Sequence, residues 1–390
     1  MSFAHHTIER IWQRQSIWSK ISQVALTPFS LAFSLVVRAR NRGYDLGLLP
    51  TLHASVSVIS IGNLTVGGTG KTPLTLWLAQ ALQLRGTAVG IITRGYGGTA
   101  TGPTLVGKNG SPLATPAEVG DEAVMLARRF PGVVISGRDR VAAALFGRQH
   151  FALDVVILDD GFQHRRLHRE VDVLLISAQR AENNWLLPAG PFREPLASMH
   201  RAHAIVLSKK TVSQSQTPLP LSIGNTQYAA CNRQSPIPVF HAELVPTALV
   251  QIVHGQWHEQ PLSTLSGKRV MAITGVANPQ PFYHTLQEQG AELARVVEFP
   301  DHHSYTLSEW QKLVAESDLF DVLVTTEKDL VKLEHLTPII DRLRAVRVQF
   351  QLEPAEAFLT VIEQRLRIRK IDRTDNGRTV SHQSSHRSAC

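Results

Sequence analysis

The spacing of apolar and polar residues divides the chain into alternating strands and helices. The stretch "SVSVISIG", residues 55–62, is β-branched and closes on a glycine, which predicts a strand. "TPLTLWLAQALQLRG", residues 72–86, spaces its apolar residues at helical intervals and ends on Gly86, which predicts a helix. "AVGIITRG" predicts a strand, "GDEAVMLARRF" a helix, "GVVISG" a strand and "DRVAAALFGRQH" a helix. "LDVVILDDG" is a strand ending in acids, and "VDVLLIS" and "AHAIVLSK" are two more. Near-continuous apolar strands alternating with helices argue for an α/β fold, with a parallel sheet covered on both faces.

The pattern weakens over residues 213–239, which are rich in Gln, Ser, Pro and Asn and read as a connection. "KRVMAITGVANPQPFYHTLQEQG" and "SDLFDVLVTTEKDLVKL" then repeat the strand and helix scheme, and "AVRVQFQLE" reads as a last strand. Four regions follow: an N-terminal helical segment that associates with membrane, 1–50; a phosphate-loop domain, 51–225; a second, smaller α/β domain closing a cleft, 226–365; and a basic tail read as disordered, 366–390.

Residues 21–37 carry no charge. As a helix they would be ~25 Å long, slightly less than the ~30 Å hydrocarbon core of a bilayer. Gln23, Thr27, Ser30 and Ser34 recur at helical spacing and share one face. Trp12, Trp18, Arg10, Arg14, Lys20, Arg38, Arg40 and Arg42 flank the run, as suits a membrane interface. The bland alternative is a buried core helix kinked at Pro28, but basic flanks have no reason to surround a core helix. A late start and the lack of a small-residue cleavage site argue against a signal peptide.

The formal net charge is +8. A basic surface attracts anionic lipid, anionic substrates or nucleic acid alike. No RNA-binding signature, zinc-finger spacing or aromatic-basic interleaving occurs, which ranks nucleic acid low. Two distant cysteines, Cys231 and Cys390, fit a reducing compartment.

The chemistry centres on "TVGGTGKT": Thr65, Val66, Gly67, Gly68, Thr69, Gly70, Lys71 and Thr72. It departs from the strict G-x-x-x-x-G-K-[ST] phosphate loop only in having Thr65 at the first position. A strand precedes it and a helix follows, so amides and the helix N-terminus would cradle phosphate. Lys71 would reach the β- and γ-phosphates of a nucleotide, and Thr72 would hold Mg²⁺. Asp159 and Asp160, at the end of an apolar strand, supply the acidic partner, although an Asp-Asp-Gly turn merely closing a strand is the bland reading. No guanine-type N-K-x-D occurs, since "TEKD" has its lysine third, and no ABC signature is present. A small-molecule kinase or synthetase remains.

A phosphoryl acceptor must lose its proton to a base, for which Asp121 and the Asp159–Asp160 pair are candidates. With the pair placed for metal, Asp121 becomes the base, although on the residues alone a helix-capping role suits it better. Glu122 would help with metal or base. Arg193, in "GPFREP", would contact substrate or developing phosphate charge if it is not simply a surface cation.

In order, "GNLTVGGTGKTP", "TRGYGG", "VGDEAVMLA", "SGRDRVAAA", "VILDDGFQH", "LLPAGPFREP", "ITGVANPQPF", "FPDHHSYT" and "TTEKDLVKL" closely resemble the tetraacyldisaccharide 4'-kinase (lipid A 4'-kinase) family of Gram-negative bacteria. The resemblance covers roughly residues 55–353 and the basic apolar N-terminus. It implies transfer of the γ-phosphate of ATP to the 4'-hydroxyl of a tetraacylated disaccharide 1-phosphate, giving lipid IVA at the cytoplasmic face of the inner membrane. It implies two α/β/α domains with a cleft between them, supports Asp121 as the base and adds His302 as its partner. The partner it implies is a glycolipid at the membrane surface, with no protein partner. Two other readings are a soluble phosphate-loop kinase or ligase with a small polar substrate, and a nucleotide-dependent regulatory protein.

Overall fold

The computed structural model describes residues 12, 17–177, 183–209, 236–276, 278–301, 303–336 and 340–378. Helix α1 (Ile17–Asp45) precedes the sheet. The first half of the sheet then runs β1 (Ser57–Gly62), α2 (Lys71–Leu84), β2 (Val89–Thr93), β3 (Thr104–Lys108), β4 (Ser111–Pro112), α3 (Pro116–Val119), α4 (Asp121–Arg129), β5 (Val133–Ser136), α5 (Arg140–His150), β6 (Val155–Asp159), β7 (Val171–Ser177) and β8 (Ala204–Lys209). The second half runs β9 (Val239–Val253), β10 (Gln256–Gln260), β11 (Arg269–Thr274), α6 (Gln280–Glu288), β12 (Glu292–Glu298), α7 (Leu307–Ala315), β13 (Val322–Thr326), α8 (Glu327–Leu333), β14 (Leu343–Glu353) and α9 (Ala355–Arg378).

All the strands join one sheet in the order β12-β11-β13-β14-β9-β8-β7-β1-β6-β2-β5-β3-β4, with β10 paired to β9. The pairing is mostly parallel, and β3–β5, β3–β4, β14–β9 and β10–β9 are antiparallel. The expectation of a parallel sheet therefore holds for the inner strands and fails at β3–β4 and around β9. Strand β9 joins the halves, parallel to β8 on one side and antiparallel to β14 on the other. Pro246 lies in β9 opposite Val348, where the register shifts; proline lacks an N–H and is tolerated at such an irregularity.

The core also crosses between the halves. Leu74, Leu78 and Leu82 of α2 pack in one cluster with Phe350 and Leu352 of β14 and with Phe358, Leu359, Ile362 and Leu366 of α9. Helix α9 thus returns to the phosphate-loop side, where Arg85 pairs with Glu356 and Glu363. Its backbone stays helical to Arg378, past residue 366, where the sequence reading begins a disordered tail. Arg and Lys over residues 367–373 favour helix, and packing through Leu366 anchors the turn before them. The expected connection over residues 213–239 lies mostly outside the described residues; from Val239 onward it is already β9.

Helix α1 turns its polar stripe toward the protein. Gln23 Nε2 donates to the Ala189 carbonyl at 3.0 Å and Ser30 Oγ to the Leu186 carbonyl at 2.7 Å. Asn41 Nδ2 donates to Glu194 at 2.7 Å. Most of its apolar residues face outward, Val24 72% exposed, Phe29 66%, Leu35 70% and Val36 66%, while Val37 is buried and Phe33 packs on the core. A soluble helix has the opposite arrangement. Lys20, Arg38 and Arg42 are exposed as expected, but Arg40 pairs with the fully buried Glu194 and belongs to the docked face. Arg10 and Arg14 lie outside the described residues.

Candidate active site

The phosphate loop leaves the carboxyl end of β1, where Ile61 pairs with Asp159 at the end of β6. The loop and the acidic pair therefore lie side by side because their strands are neighbours. Gly70 precedes α2 with φ 95°, a left-handed conformation that side chains disfavour, and a Cβ there would lie 3.1 Å from the Phe350 ring. This glycine lets the loop turn into the helix while β14 packs against it. Asn63 Nδ2 donates to Thr69 Oγ1 at 3.0 Å and braces the loop internally.

Asp159 is 4% exposed and accepts from Thr72 Oγ1 at 3.0 Å and Thr75 Oγ1 at 3.1 Å. Burial, with Glu122 and Asp160 nearby, pushes its carboxyl up to about 6. A buried acid beside a threonine hydroxyl at the mouth of a phosphate loop suits a divalent cation. Among the described residues no group of three or more His, Cys, Asp or Glu forms a metal cage.

The other expected metal ligands are engaged elsewhere. Asp160 has φ 54°, a turn that Asp tolerates, and receives two bonds from Arg193 Nη1 at 2.9 and 3.0 Å. Lys71 Nζ lies 3.8 Å from Asp160 and donates to the Gly67 carbonyl at 3.3 Å. Burial works to raise the Asp160 carboxyl, and Lys71 and Arg193 outweigh it, so it lies below its ordinary range. Burial lowers the Lys71 ammonium against the opposing pull of Asp160. Glu122 ion-pairs with Lys328. The sequence grouping of Thr72, Asp159, Asp160 and Glu122 thus resolves into Thr72–Asp159, an Asp160–Arg193–Lys71 cluster and a Glu122–Lys328 pair.

Asp121 opens α4 directly after Gly120, whose φ is 88° and where a Cβ would meet the Tyr96 carbonyl oxygen at 2.3 Å. Only glycine fits this approach, so the chain delivers Asp121 at a fixed point. Its Oδ1 accepts from the Glu122 amide at 2.9 Å, and its Oδ2 lies 3.7 Å from Lys332 Nζ. His302 lies outside the described residues. Its neighbour His303 stacks on Phe299 and pairs with Glu309.

Two participants escape the sequence reading: Lys328 and Lys332 of α8. "TEKD" served there only to exclude guanine, although lysines four apart on a mostly buried helix signal a charged stripe with partners. The buried Glu194, held by Arg201 at 2.8 Å and Asn41, is also new. It ties α1 to the loop that carries Arg193.

The raised Asp159 carboxyl has a measurable consequence. A carboxyl whose folded value of about 6 exceeds its ordinary 3.8 stabilises the fold below the lower value, and that contribution disappears as pH rises through 6. The substitution Asp159→Asn should therefore raise the thermal midpoint of nucleotide-free, Mg²⁺-free protein at pH 8, by an amount on the order of 2 kcal/mol in stability. Near pH 4 the two proteins should unfold alike. Coincident melting curves at pH 8 would show that the buried charge is not destabilising.

The family profile described as "Tetraacyldisaccharide-1-P 4'-kinase" (LpxK) matches residues 22–367. The chain is 38% identical over 355 residues to the tetraacyldisaccharide 4'-kinase of Anaeromyxobacter sp. (strain K), covering 88% of this chain and 91% of the relative. It is 38% identical over 326 residues to that of Geobacter metallireducens, covering 82% and 90%. The crystal structure of LpxK from Aquifex aeolicus in complex with ATP superposes with a TM-score of 0.71 at 30% identity, covering 88% of this chain and 99% of that one. With a profile that matches residues 22–367 and relatives similar over most of its length, the chain belongs to the tetraacyldisaccharide-1-P 4'-kinase family.

Proposed function

We propose that this kinase works at the cytoplasmic face of the bacterial inner membrane, with Asp121 as base for the 4'-hydroxyl of its tetraacyldisaccharide 1-phosphate acceptor. The observation that carries the site reading is packing. Helices α2 and α4 share one core cluster, and Gln80 Nε2 near the end of α2 donates to the Arg129 carbonyl at the end of α4 at 3.0 Å, so the helix that opens on Lys71 and the helix that opens on Asp121 lie side by side. The acceptor oxygen bonds to the γ-phosphorus, the bond to the β–γ bridging oxygen breaks, ADP leaves, and the hydroxyl proton passes to Asp121.

In this reading Lys71 binds the β- and γ-phosphates, and the amides of Thr65, Val66, Gly67, Gly68, Thr69 and Gly70 orient them. Arg193, turned toward the same cluster by Asp160, meets the charge that develops on the transferring group. Thr72 and Asp159 would hold Mg²⁺, which supplies neutralisation of phosphate charge when bound. Asp160 and Glu122 would join them only after releasing Arg193 and Lys328. His302 is retained as the partner of Asp121. We divide the chain functionally at 51–225 for nucleotide and 226–365 for closure around the acceptor. The direct test is transfer of labelled γ-phosphate from ATP to purified acceptor. Full-length protein that phosphorylates a soluble sugar and ignores the acylated disaccharide would support the small-polar-substrate reading instead.

The outward apolar face of α1 supports the membrane assignment. Exposed Ile21, Val24, Phe29, Leu31, Leu35 and Val36 offer area for insertion, and Lys20, Arg38 and Arg42 offer attraction to anionic lipid of ~1 kcal/mol each. Deleting residues 1–40 would also remove contacts to the loop that carries Arg193. Replacing Val24, Leu31 and Leu35 by serine leaves the docked face intact. This variant should move from the vesicle fraction to the soluble fraction and lose activity on vesicle-borne acceptor more than on detergent-dispersed acceptor. Equal recovery with vesicles for both proteins would remove the anchor.

A further inference from the structure

Helix α8 belongs to the second half of the chain, yet two of its lysines face the start of α4 in the first. Lys332 Nζ lies 3.7 Å from Asp121 Oδ2 and 2.9 Å from Asp329 Oδ1, with its side chain 10% exposed. One turn earlier, Lys328 pairs with Glu122. Asp329 is fully buried and itself held. Its Oδ2 accepts from the Gly275 amide at 3.0 Å and from Thr326 Oγ1 at 2.8 Å. Those donors stand at the ends of β11 and β13, so a continuous polar chain runs from two strand ends through Asp329 and Lys332 to Asp121. The Lys332 ammonium also lies 5.4 Å from the centre of the Tyr305 ring, which walls its other side.

We propose that Lys332 and Lys328 are positioning residues for phosphoryl transfer: reaching across from α8, they fix the carboxylates of Asp121 and Glu122 in the orientation from which the acceptor hydroxyl is deprotonated. The proposal rests on Asp121 being the base. Among the described residues, the Glu122 amide at Oδ1 and Lys332 at Oδ2 hold that carboxylate. The amide comes from its own helix and cannot by itself set the rotation of the side chain against the other half of the protein. Lys332 can, because Asp329 anchors it. Burial pulls the Lys328 ammonium down, and Glu122 and Asp121 more than reverse this, so Lys328 stays charged and paired. An acceptor entering between the halves therefore meets a base already aimed.

The same two helices carry a second set of pairs that touch neither acid. Arg128 bonds Glu334 at 3.2 Å, and Arg129 bonds Glu327 at 3.0 Å. These hold α4 and α8 together without reaching Asp121, which provides an internal control. Docking of the helices and aiming of the base can be perturbed separately.

The experiment uses full-length protein in detergent with ATP, Mg²⁺ and the tetraacyldisaccharide 1-phosphate. Lys332→Met should lower kcat about 10²-fold while KM for ATP changes by less than about twofold, because a small misplacement of a reacting group costs about that much rate and the phosphate loop is untouched. Lys332→Arg should recover at least about tenfold of the loss, since it restores a cation between Asp121 and Asp329. Glu334→Gln should lower the thermal midpoint and keep kcat within about threefold of the parent. Three results overturn the proposal: Lys332→Met with parental kcat while Asp121→Asn is inactive, failure of arginine to rescue a folded Lys332→Met, or an equal loss of kcat in Glu334→Gln. Near-parental activity of Asp121→Asn instead overturns the base assignment beneath it, an outcome read from a different variant. Circular dichroism on each variant separates loss of fold from loss of aim.

Discussion

Asp121→Ala is expected to lower the rate of phosphoryl transfer by ~10³ while leaving the affinity for ATP nearly unchanged. The asymmetry follows from placement. Asp121 stands at the first turn of α4, fixed by Gly120 behind it and held by the Glu122 amide and Lys332. Its removal strips a proton acceptor from the acceptor side of the reaction and leaves Lys71, Thr72 and Asp159 in place. Asp159→Ala should do the reverse, raising the Mg²⁺ concentration needed for turnover, because it deletes the buried carboxylate beside Thr72. The measurement is single-turnover transfer at saturating ATP across a Mg²⁺ titration. An Asp121→Ala protein whose rate returns to normal at high Mg²⁺ would make this residue a metal ligand and not the base.

Lys71→Ala should reduce turnover by ~10²–10³ and weaken ATP binding as well. Lys71 is the cation that follows the left-handed Gly70, and it lies against the Gly67 carbonyl and Asp160. Burial has already weakened its hold on its proton, so phosphate oxygens that replace these partners meet an ammonium poorly solvated by water and strongly attracted to them. Alanine removes that attraction from ground state and transition state together, which is why KM and kcat should both suffer. The loss also leaves Asp160 with Arg193 as its main cation, so Arg193 is less free to meet the transferring group. Titration of ATP followed by calorimetry, beside the transfer assay, separates the two effects. Turnover near that of the parent would remove the phosphate loop from the mechanism.

The inner strands and their helices were legible because full burial on both faces writes long runs of Val, Ile and Leu, as in β1, β6 and β7. Strand β12 was not, since most of its residues are exposed and "ELARVVE" carries little apolar signal. Strand β9 was hidden for another reason: its two ends belong to different halves, its burial does not alternate, and Pro246 argues against a strand. At the site, the phosphate loop and Asp159 are set by local chemistry and could be read directly. Asp121 was singled out by elimination and by family resemblance and not by its local pattern, because an acid at a helix start is common. The partners Lys332–Asp121 and Arg193–Asp160 join residues far apart in the chain, and no local pattern records such pairings.

Strand β9 pairs with β8 through its first residues, with β14 along most of its length and with β10 at its end. The two halves are therefore separate in chemistry and inseparable in folding. Cutting the gene between β8 and β9 would leave each fragment with a freshly bared strand edge, rich in unpaired amides and carbonyls, of the kind that recruits other chains into aggregates. The first fragment would also lose α9 and β14, whose Phe350 and Phe358 fill the core against α2. Nucleotide binding here is thus a property of the whole polypeptide, and a soluble "ATP-binding fragment" for drug screening cannot be made by truncation alone.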